Sequence, residues 1–205
     1  MRRVLVLFAH PVLERSRVNR RLVEAIEGID NVRIHDLYEA YPTMNIDVGF
    51  EQKLLVEHDV VVFQHPFYWY SSPSIMKEWQ DLVLEHGWAY GEGGTHLRGK
   101  VMLNAITTGG PATAYQHAGY NRFSVRELLS PFDQTAHLCG MRYLAPFAIH
   151  SSLRVRTEAD MAQHRENYRR LLVALRDDGI DLDAAARAQN LALELDAVLA
   201  PREVA

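Results

Sequence analysis

Five short runs dominated by Val, Ile, Leu and Phe recur at 4–9, 32–37, 60–65, 101–106 and 143–149, and between them apolar residues return at helical spacing. The runs predict strands and the intervals predict helices, alternating five times over. At 4–9 and 60–65 the apolar residues are continuous rather than alternating, the pattern of a strand covered on both faces. An α/β architecture follows: a doubly wound, five-stranded parallel sheet with helices on both faces.

The first helix is expected to begin at Ser16, an N-cap residue, and to turn Val18, Leu22, Val23 and Ile26 to one side. After Pro73, a stripe of Ile75, Met76, Trp79, Leu82, Val83 and His86 is wide enough for the sheet and for a partner subunit. Residues 157–177 read as a helix closed by Gly179, and the tail from Asp183 to Leu199 puts Ala184, Ala188, Leu191, Leu195 and Val198 on one face. Gly87 to Arg98, with Gly91, Gly93 and Gly94, reads as a flexible surface loop near the third strand's end. The expected organisation is one main domain over 1–178 and a helical extension over 179–205.

A chain of 205 residues suits one core. Its net charge of −4 offers no basic stripe, which excludes nucleic acid as a partner, and no acidic excess of the kind an electron shuttle uses to dock on cationic partners. Cys139 is the single cysteine, so no internal disulfide, four-cysteine zinc site or iron–sulfur cluster can form within one chain, and a cytoplasmic setting is expected. The opening apolar run is too short for a secretory signal, being interrupted by His10-Pro11 and Glu14-Arg15. His65, His137 and His150 fall near strand ends, but no pair has zinc-site spacing, so no metal is expected.

Two stretches carry the chemistry. Pro66-Phe67-Tyr68-Trp69-Tyr70 and Thr107-Thr108-Gly109-Gly110 each follow a buried strand, so both belong at the edge where the strands' carboxyl ends open a ligand crevice. One offers aromatic planes and the other unencumbered backbone N–H groups, which together suit a flat redox ring such as isoalloxazine. Tyr68 and Trp69 equally suit core packing, and their place between Pro66 and Pro73 beyond a strand end favours the site. His10, and then Ser16-Arg17-Val18-Asn19, sit where the first strand turns into the first helix, a place for a phosphate; the same residues also suit a capped helix that binds nothing. The chain has neither a G-x-G-x-x-G after that strand nor a Walker lysine, and no G-x-S-x-G follows any strand.

Taken in order, Ala9-His10-Pro11 with Ser16-x-x-Asn19, the Pro66 to Trp79 block, and Thr107-Thr108-Gly109-Gly110 followed by Tyr115 resemble the flavodoxin-like NAD(P)H quinone oxidoreductases. Gly119-Tyr120-Asn121-Arg122-Phe123 and Leu138-Cys139-Gly140-Met141 most resemble the ancillary flavoproteins of glutathione-gated potassium efflux systems, over roughly residues 3–175. The resemblance implies FMN, or alternatively FAD, with its phosphate against His10, Ser16, Arg17, Val18 and Asn19. The ring would lie between Pro66, Phe67, Tyr68, Trp69 and Thr107, Thr108, Gly109, Gly110. NAD(P)H is then the hydride donor and a quinone or other small acceptor the oxidant. The resemblance also implies a homodimer, a membrane potassium efflux antiporter as partner, and a peripheral place at the membrane's inner face. Tyr115 matches a tyrosine at the flavin edge. Quinone reductases of the human type carry a histidine six residues further on, where this chain has Asn121; His117 is the nearby substitute, provided its loop folds inward.

Overall fold

A computed structural model describes residues 1–155 and 157–200. Six strands, β1 (Val4–Phe8), β2 (Val32–Asp36), β3 (Val60–Pro66), β4 (Val101–Thr107), β5 (Arg142–Tyr143) and β6 (Phe147–Ile149), form one parallel sheet. The order is β2-β1-β3-β4, with β5 and β6 both on the far side of β4. The expected fifth strand is therefore one position filled by two pieces. Pro146 has no N–H for the ladder, and at the break the Ala145 N–H turns to Ala185 O while Pro146 O takes the N–H of Leu191.

Side-chain parity sorts the apolar residues into two layers. Val4, Val6, Val60, Val62, Leu103 and Phe147 face one core with α1 (Asn19–Ile26), α7 (Glu158–Arg176), α8 (Leu182–Arg187) and α9 (Leu191–Val198). Leu5, Leu7, Val61, Phe63, Met102 and Ile106 face the other with α2 (Leu37–Ala40), α3 (Val48–Glu57), α4 (Ser74–Val83), α5 (Val125–Leu128) and α6 (Ser130–Leu138). A strand buried on both faces has to be apolar at every position, which is why β1 and β3 read as continuous runs.

Several local expectations shift. The first helix starts at Asn19, not Ser16; the Ser16 hydroxyl still accepts the Asn19 N–H at 3.0 Å. The tail is two helices rather than one, because Asn190 begins α9 as its cap and pairs its side chain with the backbone of Ala148 through both N–H and C=O, at 2.9 Å each, as a neighbouring strand would. In this way the segment after Gly179 closes the β6 edge. Residues 201–205 lie outside the described residues. The chain leaves α7 through a left-handed Asp178 (φ 60°), one residue before the expected Gly179. Gly87 to Arg98 lies before β4, at the opposite end of the sheet from the ends of β3 and β4. It is tightly closed: a Cβ on Gly94 would fall 2.1 Å from the Tyr90 carbonyl oxygen.

Glu51 of α3 is fully buried and draws three elements together. Its Oε1 accepts the Tyr41 hydroxyl at 2.5 Å and lies 2.6 Å from His35 Nε2, while Oε2 accepts the Trp79 indole N–H at 2.8 Å. Removing the carboxyl strands three buried donors. Glu51→Ala is expected to cost about 3 kcal/mol or more in urea unfolding; a loss below about 1 kcal/mol would show that the donors find other partners.

Candidate active site

The ends of β1, β3 and β4 are knitted at one edge. Ala9 N–H donates to Gln64 O at 3.0 Å, Phe67 N–H to Thr107 O at 2.9 Å, and Thr108 N–H to Ile149 O at 2.9 Å. Across that edge the buried Asn19 Nδ2 donates to Thr107 Oγ1 at 2.9 Å, so the start of α1 is pinned to the end of β4. Gln64 continues the tie: its Nε2 reaches Asn19 O at 3.3 Å, and its Oε1 accepts the Tyr168 hydroxyl at 2.9 Å.

On this frame sits a cleft of about 610 Å³ lined by Trp69, Tyr70, Gly109, Gly110, Pro111, Thr113, Ala114, Tyr115, Tyr120 and Asn121. Trp69 and Tyr70 both hold left-handed backbone, φ 49° and 62°. For non-glycine residues each such conformation costs about 1–3 kcal/mol, a strain that clusters at functional sites. The turn leaves Trp69 93% exposed, projecting from the rim, while Phe67 is buried with its ring 6.2 Å from that of Tyr115. Thr107 and Thr108 are buried beneath the floor. Among the described residues, the N–H groups of Gly109 and Gly110 have no partner, whereas that of Thr108 is spent on Ile149.

The turn from β1 into α1 forms a neighbouring basin lined by Glu14, Arg15, Ser16, Arg17, Arg20 and Arg21. The backbone N–H groups of Arg17, Val18, Arg20 and Arg21 have no partner there among the described residues, an arrangement suited to an anion. His10 accepts the Val12 N–H at Nδ1, 3.2 Å, and burial pushes its pKa down, so its proton sits on Nε2. Asn19 Oδ1 is a buried acceptor with no partner among the described residues. Hydroxyls of a bound ligand would satisfy it.

Of the residues expected at the site, Trp69, Gly109, Gly110, Tyr115 and Asn121 share the cleft; Thr107, Thr108, Phe67 and Pro66 support it; His10 and Ser16 to Asn19 form the adjoining turn. Tyr68 is half exposed and outside the lining. His117 is not brought in: its side chain is 80% exposed, with Nε2 3.6 Å from Glu127 Oε1. Asn121 Oδ1 accepts the Tyr70 hydroxyl at 3.1 Å. Tyr120 and His150 were not expected here. Tyr70 ends the same aromatic run, and Tyr120 and Asn121 arrive because the Asn121 N–H bonds to Ala114 O at 2.9 Å. His150 stands behind Tyr115, ring centroids 5.5 Å apart.

His65 lies inside β3 and holds the strand's exit. Its Nδ1–H donates to Pro66 O at 3.0 Å and its Nε2 accepts the Asn104 amide at 3.1 Å; Asn104 Oδ1 in turn accepts the Tyr143 hydroxyl at 2.6 Å. Full burial lowers its pKa to about 4, so it is neutral when folded. The unfolded chain binds a proton near the ordinary value of 6.5, so this stability is complete above that pH and is lost as pH falls toward 4. Between pH 7.5 and 5 the loss is expected to be about 2 kcal/mol. Urea unfolding at both pH values should show a smaller loss in His65→Gln; equal losses in the two proteins would contradict the assignment.

A family model described as flavodoxin-like fold matches residues 2–172. Among curated relatives, the uncharacterized NAD(P)H oxidoreductase YdeQ of Bacillus subtilis is 41% identical over 96% of each chain. The glutathione-regulated potassium-efflux system ancillary protein KefG of Yersinia enterocolitica is 44% identical over 81% of this chain and 90% of its own. Among solved structures, general stress protein 14 of Treponema denticola, in complex with FMN, has a TM-score of 0.76 at 37% identity, covering 86% and 98% of the two chains. An NADPH-quinone reductase from P. pentosaceus has a TM-score of 0.71 at 31% identity, covering 91% and 99%. A structure titled as a thermophilic tryptophan halogenase from Streptomycin violaceusniger has a TM-score of 0.79 at 43% identity, covering 82% and 98%.

Proposed function

Because this chain belongs to the flavodoxin-like fold family, we propose that it is a flavin-dependent NAD(P)H oxidoreductase that reduces quinones by two-electron transfer, with FMN rather than FAD as its flavin. The observation that carries this reading is the cleft, where aromatic Trp69, Tyr70 and Tyr115 line the same space as Gly109 and Gly110, whose N–H groups have no partner among the described residues, beside an anion-ready turn at Ser16 to Asn19. The FMN complex of the Treponema denticola relative supports the choice of flavin, and the P. pentosaceus relative supports a quinone as acceptor. A shared fold does not carry a relative's chemistry with it, so the likeness to a halogenase adds no reaction that this cleft supports.

The residues present fit FMN. Arg17, Val18 and the Ser16 hydroxyl would hold the phosphate, Asn19 Oδ1 would take a hydroxyl of the ribityl chain, and the ring would rest on the Gly109-Gly110 floor beside Phe67 and Trp69. A bound flavin supplies the electron relay between the nicotinamide and the quinone. The chain supplies the rest. Gly109 and Gly110 N–H groups are preset to stabilise negative charge that develops on the pyrimidine edge, the role that fixed donors play in an oxyanion hole. Thr108 was expected to share that task through its backbone, but its N–H is taken by Ile149 and its hydroxyl by Gly110 O and His150. Burial raises the Tyr115 pKa, so the phenol keeps its proton and can donate it.

A second copy of the chain is the proposed cover for the cleft's rim, where Trp69, Tyr120 and Leu153 are 93%, 90% and 73% exposed. The main domain is taken as 1–178, with 179–205 as an extension that closes the β6 edge. A second reading makes the chain an ancillary subunit of a potassium efflux antiporter at the membrane's inner face; the KefG relative favours it. Among the described residues no helix is long and apolar enough to cross a membrane.

Turnover of NADH and NADPH with a naphthoquinone tests the enzyme reading. Tyr115→Phe should keep its flavin and lose about tenfold or more in kcat, and Trp69→Ala should lose flavin on dialysis. An unchanged kcat in the first would remove the tyrosine from the reaction, and full flavin content in the second would remove the tryptophan from the ring site. Light scattering should give a dimer, with a monomer refuting the proposed cover. Potassium efflux that is unaffected by the protein would sink the ancillary reading.

A further inference from the structure

Quinone reduction consumes a proton as well as a hydride: NAD(P)H, H⁺ and quinone give NAD(P)⁺ and hydroquinone. This inference rests on the reading above and concerns the source of that proton. His117 faces solvent beside Glu127, and Asn121 has no proton to exchange at its carbonyl oxygen, which accepts from Tyr70. Behind Tyr115 the arrangement differs. The buried Thr108 hydroxyl donates to Gly110 O at 2.9 Å, so at 3.1 Å it accepts the Nδ1–H of His150. The side chains of Thr108 and Asn121 lie near enough to the Tyr115 phenol to draw its pKa down against the effect of burial.

His150 also lines a second cavity of about 490 Å³, on the other side of Tyr115 from the flavin cleft; among the described residues Tyr115 alone lines both. The ring is fixed from below, since Ile149 O takes the Thr108 N–H and Ser151, itself left-handed at φ 56°, donates to Gly110 O at 2.9 Å. We propose that His150 is a positioning residue that feeds protons to Tyr115 through the Thr108 hydroxyl, taking them from solvent in the second cavity.

The relay balances. Tyr115 gives its phenolic proton to the substrate oxygen, the Thr108 hydroxyl turns from Gly110 O and gives its proton to Tyr115, and His150 gives the Nδ1 proton to Thr108. In the same step Nε2 takes up H⁺ from bulk solvent, which leaves His150 neutral in its other tautomer, and exchange with solvent restores the first. The electron pair comes from NAD(P)H throughout. Burial lowers the His150 pKa, in keeping with a neutral ring that passes protons by tautomer exchange. The charged and titratable groups facing it are Tyr115 and His117 from the loop after β4, and Arg126 and Glu127 from α5; Asn190 ahead of α9 carries no charge. Arg126 is held by the carbonyls of Ala186 and Ala188, and hydrogen bonds from Ser124 hold the Glu127 carboxyl below its usual range.

His150→Asn separates relay from scaffold, because an asparagine amide can occupy the place of Nδ1 and bond Thr108 but has no second nitrogen to reload. Flavin affinity and the rate of flavin bleaching by NADPH should stay within about twofold, while quinone-dependent reoxidation should fall about tenfold or more and lose its solvent deuterium isotope effect. His150→Ala should regain reoxidation with added imidazole. In the flavin-free protein, nitrogen NMR should find the His150 proton on Nδ1, and Thr108→Val should remove that preference. Wild-type reoxidation in His150→Asn, no imidazole rescue, or an Nε2–H tautomer in the flavin-free protein would each overturn the relay and leave the oxidoreductase reading standing. A wild type that binds FMN but reduces no quinone would overturn both.

Discussion

A buried hydrogen bond from Asn19 Nδ2 to Thr107 Oγ1 crosses the top of the sheet and joins the first helix to the fourth strand, over the ends of β1 and β3. The site depends on it. In a parallel sheet the loops at the carboxyl edge have no ladder partners of their own, so their relative placement rests on side chains that reach between them. Asn19 does this at the anion-ready turn, Gln64 repeats it to Asn19 O and to Tyr168, and Thr108 passes the constraint to His150. Each is buried, where a lost partner costs about 1–3 kcal/mol. Rigidity at the cleft is thus a consequence of where polar groups were placed in an otherwise apolar sheet.

The same logic separates the two faces. On the face with α7, Gln64 is satisfied by Tyr168; on the face with α6, His65 and Asn104 are satisfied by each other, by Pro66 O and by Tyr143, while His65 stacks on Phe132 at 5.7 Å. Polar residues in the middle of β3 and β4 would weaken a purely structural sheet. Here they fix the direction in which Pro66 and Thr107 leave their strands. The strained Trp69-Tyr70 turn begins three residues beyond Pro66, and its left-handed backbone keeps the tryptophan at the rim instead of in the core.

The strands and the two-faced core were legible because burial on both sides demands apolar residues at every position, and β1 and β3 meet that demand without a break. The division at Pro146 was missed, since the run at 143–149 was read as one strand although a proline cannot donate within a ladder. The Ser16 to Asn19 turn and the Thr107 to Gly110 floor were legible as local chemistry. What sequence could not supply was pairing at long range: Asn190 stands in for a strand 42 residues from Ala148, and His150 meets Thr108 across 42 residues. A histidine at a strand end, weighed only against zinc spacing, gives no sign of a hydroxyl partner that far away. His117 failed in the opposite sense. It was near Tyr115 in sequence, yet the turn after Pro111 points it outward, toward Glu127.

The central claim is that the cleft between Trp69 and the Gly109-Gly110 floor holds a flavin that NAD(P)H reduces. An absorption spectrum of the purified protein, recorded before and after anaerobic NADPH, with the chromophore then released and weighed, tests it most directly. Flavin bands that bleach on NADPH addition, and a released mass equal to that of FMN, are the predicted result. A colourless protein that takes up neither added FMN nor FAD would contradict the account.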